Sequence, residues 1–278
     1  MPIGAHVSIA GGIWNAPERA AALGCECFQL FTRSPQGGGA PPLTDEGVKK
    51  FRAACETHGQ QLWVVHTPYY INLASKEERT RANSARVIRD ELERASLIGA
   101  TYVMTHLGSA KDVGQSQGVT YAAQGLRKAL DGYTGSAQFL IEISAGAGSV
   151  IGGTFEEVAQ LLTMIDREDV GICFDTQHAF GSGYDLRTPE AVAETMQKFD
   201  ATIGLHRLRM SHVNDSKVEL GAHKDRHEHI GHGHIGADGI RAFVQSRALD
   251  NLPLIIETED GPERAEDVRL LKEFRGNI

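Results

Sequence analysis

Short apolar runs alternate with longer segments of helical period along the whole chain. The runs at 3–8, 25–32, 62–66, 102–106, 139–143, 171–175, 207–212 and 254–257 are rich in Val, Ile, Phe and Leu and are bounded by turn residues, which predicts eight strands. Between them the clearest helix is 77–98, rich in Arg, Glu and Ala, with Val87, Leu92, Ala95 and Leu97 among its apolar positions; its many charges suit a solvated exterior. Thr154, with Glu157 three residues later, has the pattern of a reciprocal N-terminal cap for a helix over 154–165. Thr188-Pro189-Glu190 opens another, with proline at a permitted first-turn position. Eight strands alternating with helices predict an α/β fold, a single (β/α)8 TIM barrel spanning 1–278. A doubly wound open sheet is the runner-up, but no glycine-rich nucleotide turn follows the first strand.

The polar residues that interrupt the pattern are not scattered. His66, His106, Glu142, Asp175, His212 and Glu257 fall at or near the ends of six predicted strands. His178, Asp225 and His227 follow in the loops beyond the sixth and seventh. In a barrel those strand ends form one face, and that face carries the chemistry. Glu142 and Glu257 each follow an apolar run, a costly place for a charge unless it is paired or metal-bound. All nine are plausible metal ligands. One tetrahedral zinc needs only three or four, so the set implies several ions, and multi-metal sites mostly cleave phosphate esters or related bonds. His6 ends the first strand and is read as a supporting donor; His223, His229, His232 and His234 receive no ligand role.

Composition changes this picture only at the margins. No apolar run approaches the ~18 residues of a membrane span, and the first residues lack the charged and apolar regions of a signal peptide. Cys25, Cys27, Cys55 and Cys173 show no paired spacing and read as buried small hydrophobes in a reducing, cytoplasmic setting. The formal net charge of −8 argues against a nucleic-acid partner on first reading. Three divalent ions would bring it to about −2 and concentrate positive charge at the cleft.

Five segments carry a resemblance. They are Gly4-Ala5-His6-Val7-Ser8; Tyr69-Tyr70-Ile71-Asn72-Leu73-Ala74; the stretch from Ala100 to Gly108; Phe174-Asp175-Thr176-Gln177-His178-Ala179-Phe180 with Gly183-Tyr184-Asp185; and His212-Val213-Asn214-Asp215-Ser216-Lys217 with Asp225-Arg226-His227 and Ile230-Gly231-His232-Gly233. Together they resemble the endonuclease IV family of apurinic/apyrimidinic (AP) endonucleases. The resemblance implies a barrel holding three Zn2+, with Mn2+ an alternative at one position. By position, one zinc takes His66, His106 and Glu142. A second shares Glu142 and adds Asp175, His212 and Glu257. The third takes His178, Asp225 and His227.

The activity implied is cleavage of the phosphodiester 5′ to an abasic site by metal-activated hydroxide, leaving a 3′-hydroxyl and a 5′-deoxyribose phosphate, with trimming of blocked 3′ ends. Glu142 and Glu257 are the candidates for orienting or deprotonating the water. The implied partner is double-stranded DNA bearing abasic sites or blocked 3′ ends, met by a monomeric chain. The chain departs from the family in two loops. Where the family carries an Arg-Gln-Trp-like cluster, this chain reads Gln36-Gly37-Gly38-Gly39, within a flexible stretch over 34–42; after the fifth strand it reads Ser144-Ala145-Gly146-Ala147-Gly148. Tyr69 and Tyr70, with Gln36, are then the candidate DNA contacts. A metal-dependent sugar isomerase on the same barrel is the alternative enzyme. A binding module without efficient incision is the alternative that the altered loop suggests.

Overall fold

The computed structural model describes residues 1–276. Eight parallel strands close into a barrel: β1 (Ile3–His6), β2 (Cys27–Leu30), β3 (Leu62–His66), β4 (Tyr102–Thr105), β5 (Gln138–Glu142), β6 (Gly171–Asp175), β7 (Leu208–His212) and β10 (Leu254–Ile256). Closure pairs β1 with both β2 and β10 and excludes the open sheet. Around the barrel run α1 (Ala16–Ala22), α2 (Asp45–Thr57), α3 (Glu78–Ile98), α4 (Gln115–Leu130), α5 (Phe155–Ile165), α7 (Pro189–Thr202), α8 (Gly236–Val244) and α9 (Glu263–Arg275). Three features of the β6 and β7 loops escaped the sequence reading. One is the short helix α6 (Thr176–Gly181), which carries His178; the others are β8 (Asp215–Ser216) and β9 (His227–Glu228), an antiparallel pair that carries His227. His178 and His227 therefore stand on ordered elements and not in open loops.

The core has two parts, because a closed sheet has two faces. The larger lies between the barrel and its helices. The smaller fills the barrel: Cys27, Val64, Met104, Leu140, Cys173, Met210 and Ile255, one from each strand except β1. At that level β1 contributes Gly4, which pairs with Cys27 and Ile255. A Cβ on Gly4 would run into the carbonyl oxygen of Cys27 and press on its Sγ. Successive strand residues point to opposite faces, so the next inward position on each strand lies two residues further on. Those positions are His6, Gln29, His66, His106, Glu142, Asp175, His212 and Glu257. A polar ring is stacked directly on an apolar plug.

The helices show where local signals held and where they gave way. Thr154 and Thr188 cap α5 and α7, accepting from Glu157 N and Ala191 N at 3.2 Å. The reciprocal half of the Thr154 cap is absent: the Glu157 carboxylate accepts instead from Gly152 N and Gln115 Nε2. Helix α3 begins at Glu78, with Glu77 as its N-cap residue. Leu97, counted among its apolar positions, is 55% exposed, while Ile98 is buried. Its inner face also buries Glu91, which accepts from Thr32 Oγ1 at 2.7 Å and from Arg33 Nε; the helix is therefore only partly a solvated exterior. All four cysteines are free and buried. Among the described residues no helix is long and apolar enough to cross a membrane.

Gly4→Ala forces β1 away from β2 and costs about 1–3 kcal/mol or more. A melting midpoint lowered by about 3–10 °C is expected; an unchanged midpoint would mean that the β1–β2 pair can part without penalty.

Candidate metal centre

Six strand ends, helix α6 and strand β9 bring eight of the nine predicted residues to one cluster, and Asp225 closes it from outside. Glu142 is fully buried at the centre. Its Oε1 lies 2.8 Å from His212 Nδ1 and 3.3 Å from His178 Nδ1. Its Oε2 lies 3.1 Å from His106 Nε2 and 3.7 Å from His66 Nε2. Glu257 Oε2 is 3.1 Å from His212 Nδ1, and Asp175 Oδ2 is 3.7 Å from the same atom. Asp225, 55% exposed, sits 3.4 Å from His178 Nε2 and 3.5 Å from His227 Nε2. His227 Nε2 is also 3.6 Å from Asp175 Oδ2, so Asp175 reaches toward both His212 and His227.

Four groupings have ligand atoms within 4.8 Å of one another: His66–His106–Glu142, Glu142–Cys173–His212, Glu142–Asp175–His212–Glu257 and Asp175–His178–His227. The donor set fits cations. Glu142 Oε2, His178 Nε2 and His227 Nε2 are buried without a hydrogen-bond partner, and buried polar atoms are rarely left so in a folded protein. All three belong to the predicted set.

Ring orientation is set from behind. His66 Nδ1 donates to the Thr67 carbonyl at 2.5 Å and His178 Nδ1 to the Ile143 carbonyl at 2.9 Å. His227 Nδ1 faces the Glu257 carbonyl at 3.4 Å. Each of these rings turns Nε2 toward the cluster. His212 is the reverse: its Nε2 meets Gln29 Oε1 at 2.8 Å, and Nδ1 faces the carboxylates.

Charge follows from this crowding. Burial alone would raise the Glu142 carboxyl, but the His106 and His212 imidazoles hold it well below the usual carboxylate range. Burial opposes charge on His178 too, yet Asp175 and Asp225 lift it well above the usual imidazole range. His212 is lifted too, against its burial, by the Cys173 sulfur and by the Glu257 and Glu142 carboxylates. His106 goes the other way, since burial outweighs the pull of Glu142 and keeps it neutral.

Supporting residues were partly missed. Asn214 donates to Asp175 Oδ2 at 2.8 Å and accepts from Glu257 N at 2.7 Å, joining β6 to β10. Buried Asp215 accepts from Gly231, Gly233, Ile235 and Gly236 backbone N–H groups and so fixes the loop after β9. Gln29, fully buried, donates to Glu257 Oε1 at 2.5 Å and to His6 Nδ1 at 2.9 Å. Its signal was available: Gln29 is polar at an inward position near the end of a strand. His6 is where the sequence put it, beside the cluster and 3.7 Å from Glu257 Oε1. His223, His232 and His234 are exposed, and His229 pairs with Asp267 at 2.7 Å.

Above the cluster opens a cleft of about 640 Å³, walled by Phe31, Arg33, Pro35, Tyr69, Asp260 and Arg264. Tyr69 is 66% exposed on its rim, packed edge-on against Phe31 and His66. Tyr70 lines a neighbouring groove with Ser144 and Ala147. Gln36 does not line the cleft; it lies in a crevice between its own loop and α3.

A family model described as a xylose isomerase-like TIM barrel matches residues 17–274. A protein described as probable endonuclease 4 from Haloarcula marismortui is 41% identical over 276 residues, covering 99% of each chain. Endonuclease IV from Thermus thermophilus superposes with a TM-score of 0.89 at 34% identity, covering 99% of this chain and 98% of that one. A D-tagatose 3-epimerase-like protein superposes at 0.76 over 99% and 97% of the two chains, but at 22% identity that likeness shows the barrel alone. The strand-end cluster thus sits in a chain that matches, along its whole length, proteins named for one activity, and this chain belongs to the endonuclease IV family.

Proposed function

We propose that this chain is an AP endonuclease that cuts the phosphodiester 5′ to an abasic site in double-stranded DNA, leaving a 3′-hydroxyl and a 5′-deoxyribose phosphate, and that it also trims blocked 3′ ends. The observation that carries the reading is the convergence of eight ligand-type side chains in one cluster, with Asp225 against two of them from outside and three buried ligand atoms left unpaired. The proposed occupancy is three Zn2+, with Mn2+ an alternative at one position. His66, His106 and Glu142 would hold the first. Glu142, Asp175, His212 and Glu257 would hold the second, and His178, Asp225 and His227 the third. Imidazole and carboxylate donors without cysteine suit zinc that must stay open to substrate. Bound cations would neutralise phosphate charge and lower the pKa of a bound water toward about 7.

The chain's own groups then have distinct tasks. Glu142 Oε1 is engaged by His212, while Oε2 has no hydrogen-bond partner. Both Glu142 oxygens face ligand-type imidazoles, so Glu142 and Glu257 are together the candidates for orienting or deprotonating the attacking water. Glu257 lines the cleft wall, with Oε1 held by Gln29, and would orient the water from the side. Tyr69 on the rim offers a face or edge to the gap left by the missing base. Arg33 and Arg264 line the same cleft, paired with Glu91 and Asp260 respectively, so neutralisation of a phosphate falls to the bound cations. The cleft is complete within one chain, which supports a monomer. Four free, buried cysteines fit a reducing compartment and support the cytoplasmic location.

Purified protein is expected to hold close to three zinc ions per chain and to nick an abasic duplex in a chelator-sensitive way. Glu142→Gln should lower incision by about 10²–10⁴-fold, with metal content measured on the same preparation; incision at the wild-type rate would sink the Glu142 assignment. Zinc uptake should also depend on pH. The Asp175 and Asp225 carboxylates raise the basicity of His178 in the ion-free cluster, and a metal binds only the neutral ring. Uptake at pH 7 should therefore release about one proton or more per chain and weaken as pH falls. Calorimetry in two buffers of different ionisation enthalpy reads this directly, and identical heats would contradict it.

A further inference from the structure

The polar ring has one member that is neither acid nor imidazole. Gln29 touches three others: His6 of β1, His212 of β7 and Glu257 beyond β10. Its orientation is determined. Glu257 Oε1 lies 2.5 Å from one end of the amide, and an ionised carboxylate can only accept. The flipped amide would set two acceptor oxygens against each other, so the NH2 group must face Glu257. Its second hydrogen points to His6 Nδ1. The amide oxygen is then left facing His212 Nε2 at 2.8 Å, and an oxygen there requires the proton on Nε2.

We infer that Gln29 is a positioning residue that fixes the tautomer of His212, so that Nδ1 and not Nε2 is the metal-binding atom. The contrast within the site supports this. His66, His178 and His227 present Nε2 because a backbone carbonyl faces Nδ1. His212 alone among these four has its Nε2 taken by a side chain, and its Nδ1 faces Glu142, Glu257 and Asp175 at 2.8, 3.1 and 3.7 Å. The same amide occupies Glu257 Oε1 and leaves Oε2 on the cluster side. Gln29 thereby orients two of the groups assigned to the second ion with a single buried amide. Partners of this kind typically change metal affinity by about 10–100-fold.

The inference rests on the metal-centre reading, and the test separates the two. Long-range 15N–1H correlation spectra of the zinc-loaded full chain should show His212 protonated at Nε2, with His66, His178 and His227 protonated at Nδ1. A His212 ring protonated at Nδ1 overturns the inference without any variant being made. In chelator competition, Gln29→Met and the equally sized Gln29→Glu should each bind their most weakly held zinc about 10–100-fold less tightly than wild type. Equal affinity in both variants overturns the role of Gln29 while leaving the metal centre intact. Wild-type protein that takes up no zinc overturns both.

Discussion

The structure depends on the two-residue repeat of a β-strand inside a closed barrel. One inward position on seven strands is filled by Cys27, Val64, Met104, Leu140, Cys173, Met210 and Ile255. The next inward position carries a ligand-type or amide side chain on every strand. The apolar layer excludes water from below, so the carboxylates and imidazoles above it are solvated only from the cleft. A shift of any strand by one residue would turn both its plug residue and its polar residue outward, toward the packed helices. Register therefore fixes the site as well as the fold, and the close approach of β1 and β2 at Gly4 helps to hold it.

Stacking acids and imidazoles this tightly creates an electrostatic problem that protons solve only in part. Glu142 sits with four imidazoles at 2.8–3.7 Å, yet its Oε2 has no hydrogen bond. Raising the basicity of His178 and His212 lets them carry charge against Asp175, Asp225 and Glu257. Burial keeps His106 neutral. A proton satisfies one lone pair in one direction, whereas a cation satisfies several at once. The unpaired atoms at Glu142, His178 and His227 are where that difference falls.

Much of this was legible in the chain because strand ends announce themselves. A His, Asp or Glu that terminates a Val- and Ile-rich run is conspicuous, and β3, β6 and the end of β7 lie where the pattern predicts, with β5 displaced by one residue. The strands are shorter than the predicted runs at β1, β2, β4 and β10, since the chain runs on past the last paired residue, to Val7 beyond β1, Phe31 beyond β2, His106 beyond β4 and Glu257 beyond β10. What stayed hidden depends on contacts between distant segments. Helix α6 is only six residues, too short for a periodic signal, and Asp175 caps it through His178 N. The β8–β9 pair has two residues in each strand. Asn214 and Asp215 read as loop polar residues, yet one ties β6 to β10 and the other gathers the backbone amides of a whole turn. The Glu157 side chain illustrates the limit of local rules: a tertiary offer from Gly152 and Gln115 outcompeted its own helix start.

The division between strand ends and loops also determines what the departures from the family can change. The apolar plug and the polar ring are built on strands, and their orientation comes from backbone carbonyls and from Gln29, Asn214 and Asp215. None of those partners lies in the stretch Gln36-Gly37-Gly38-Gly39, and Gln36 itself faces a crevice against α3 and not the cleft. A change of sequence there leaves each ligand-type atom where it is. It acts only on the rim, where Tyr69 stands 66% exposed and Ser34 and Pro35 form the wall nearest the altered loop. A rim without the bulk of Arg or Trp gives a duplex less to bend around, while a substrate that already ends at the lesion needs no bending. The altered loop should therefore shift the balance between internal sites and blocked 3′ ends while leaving bond cleavage itself unchanged.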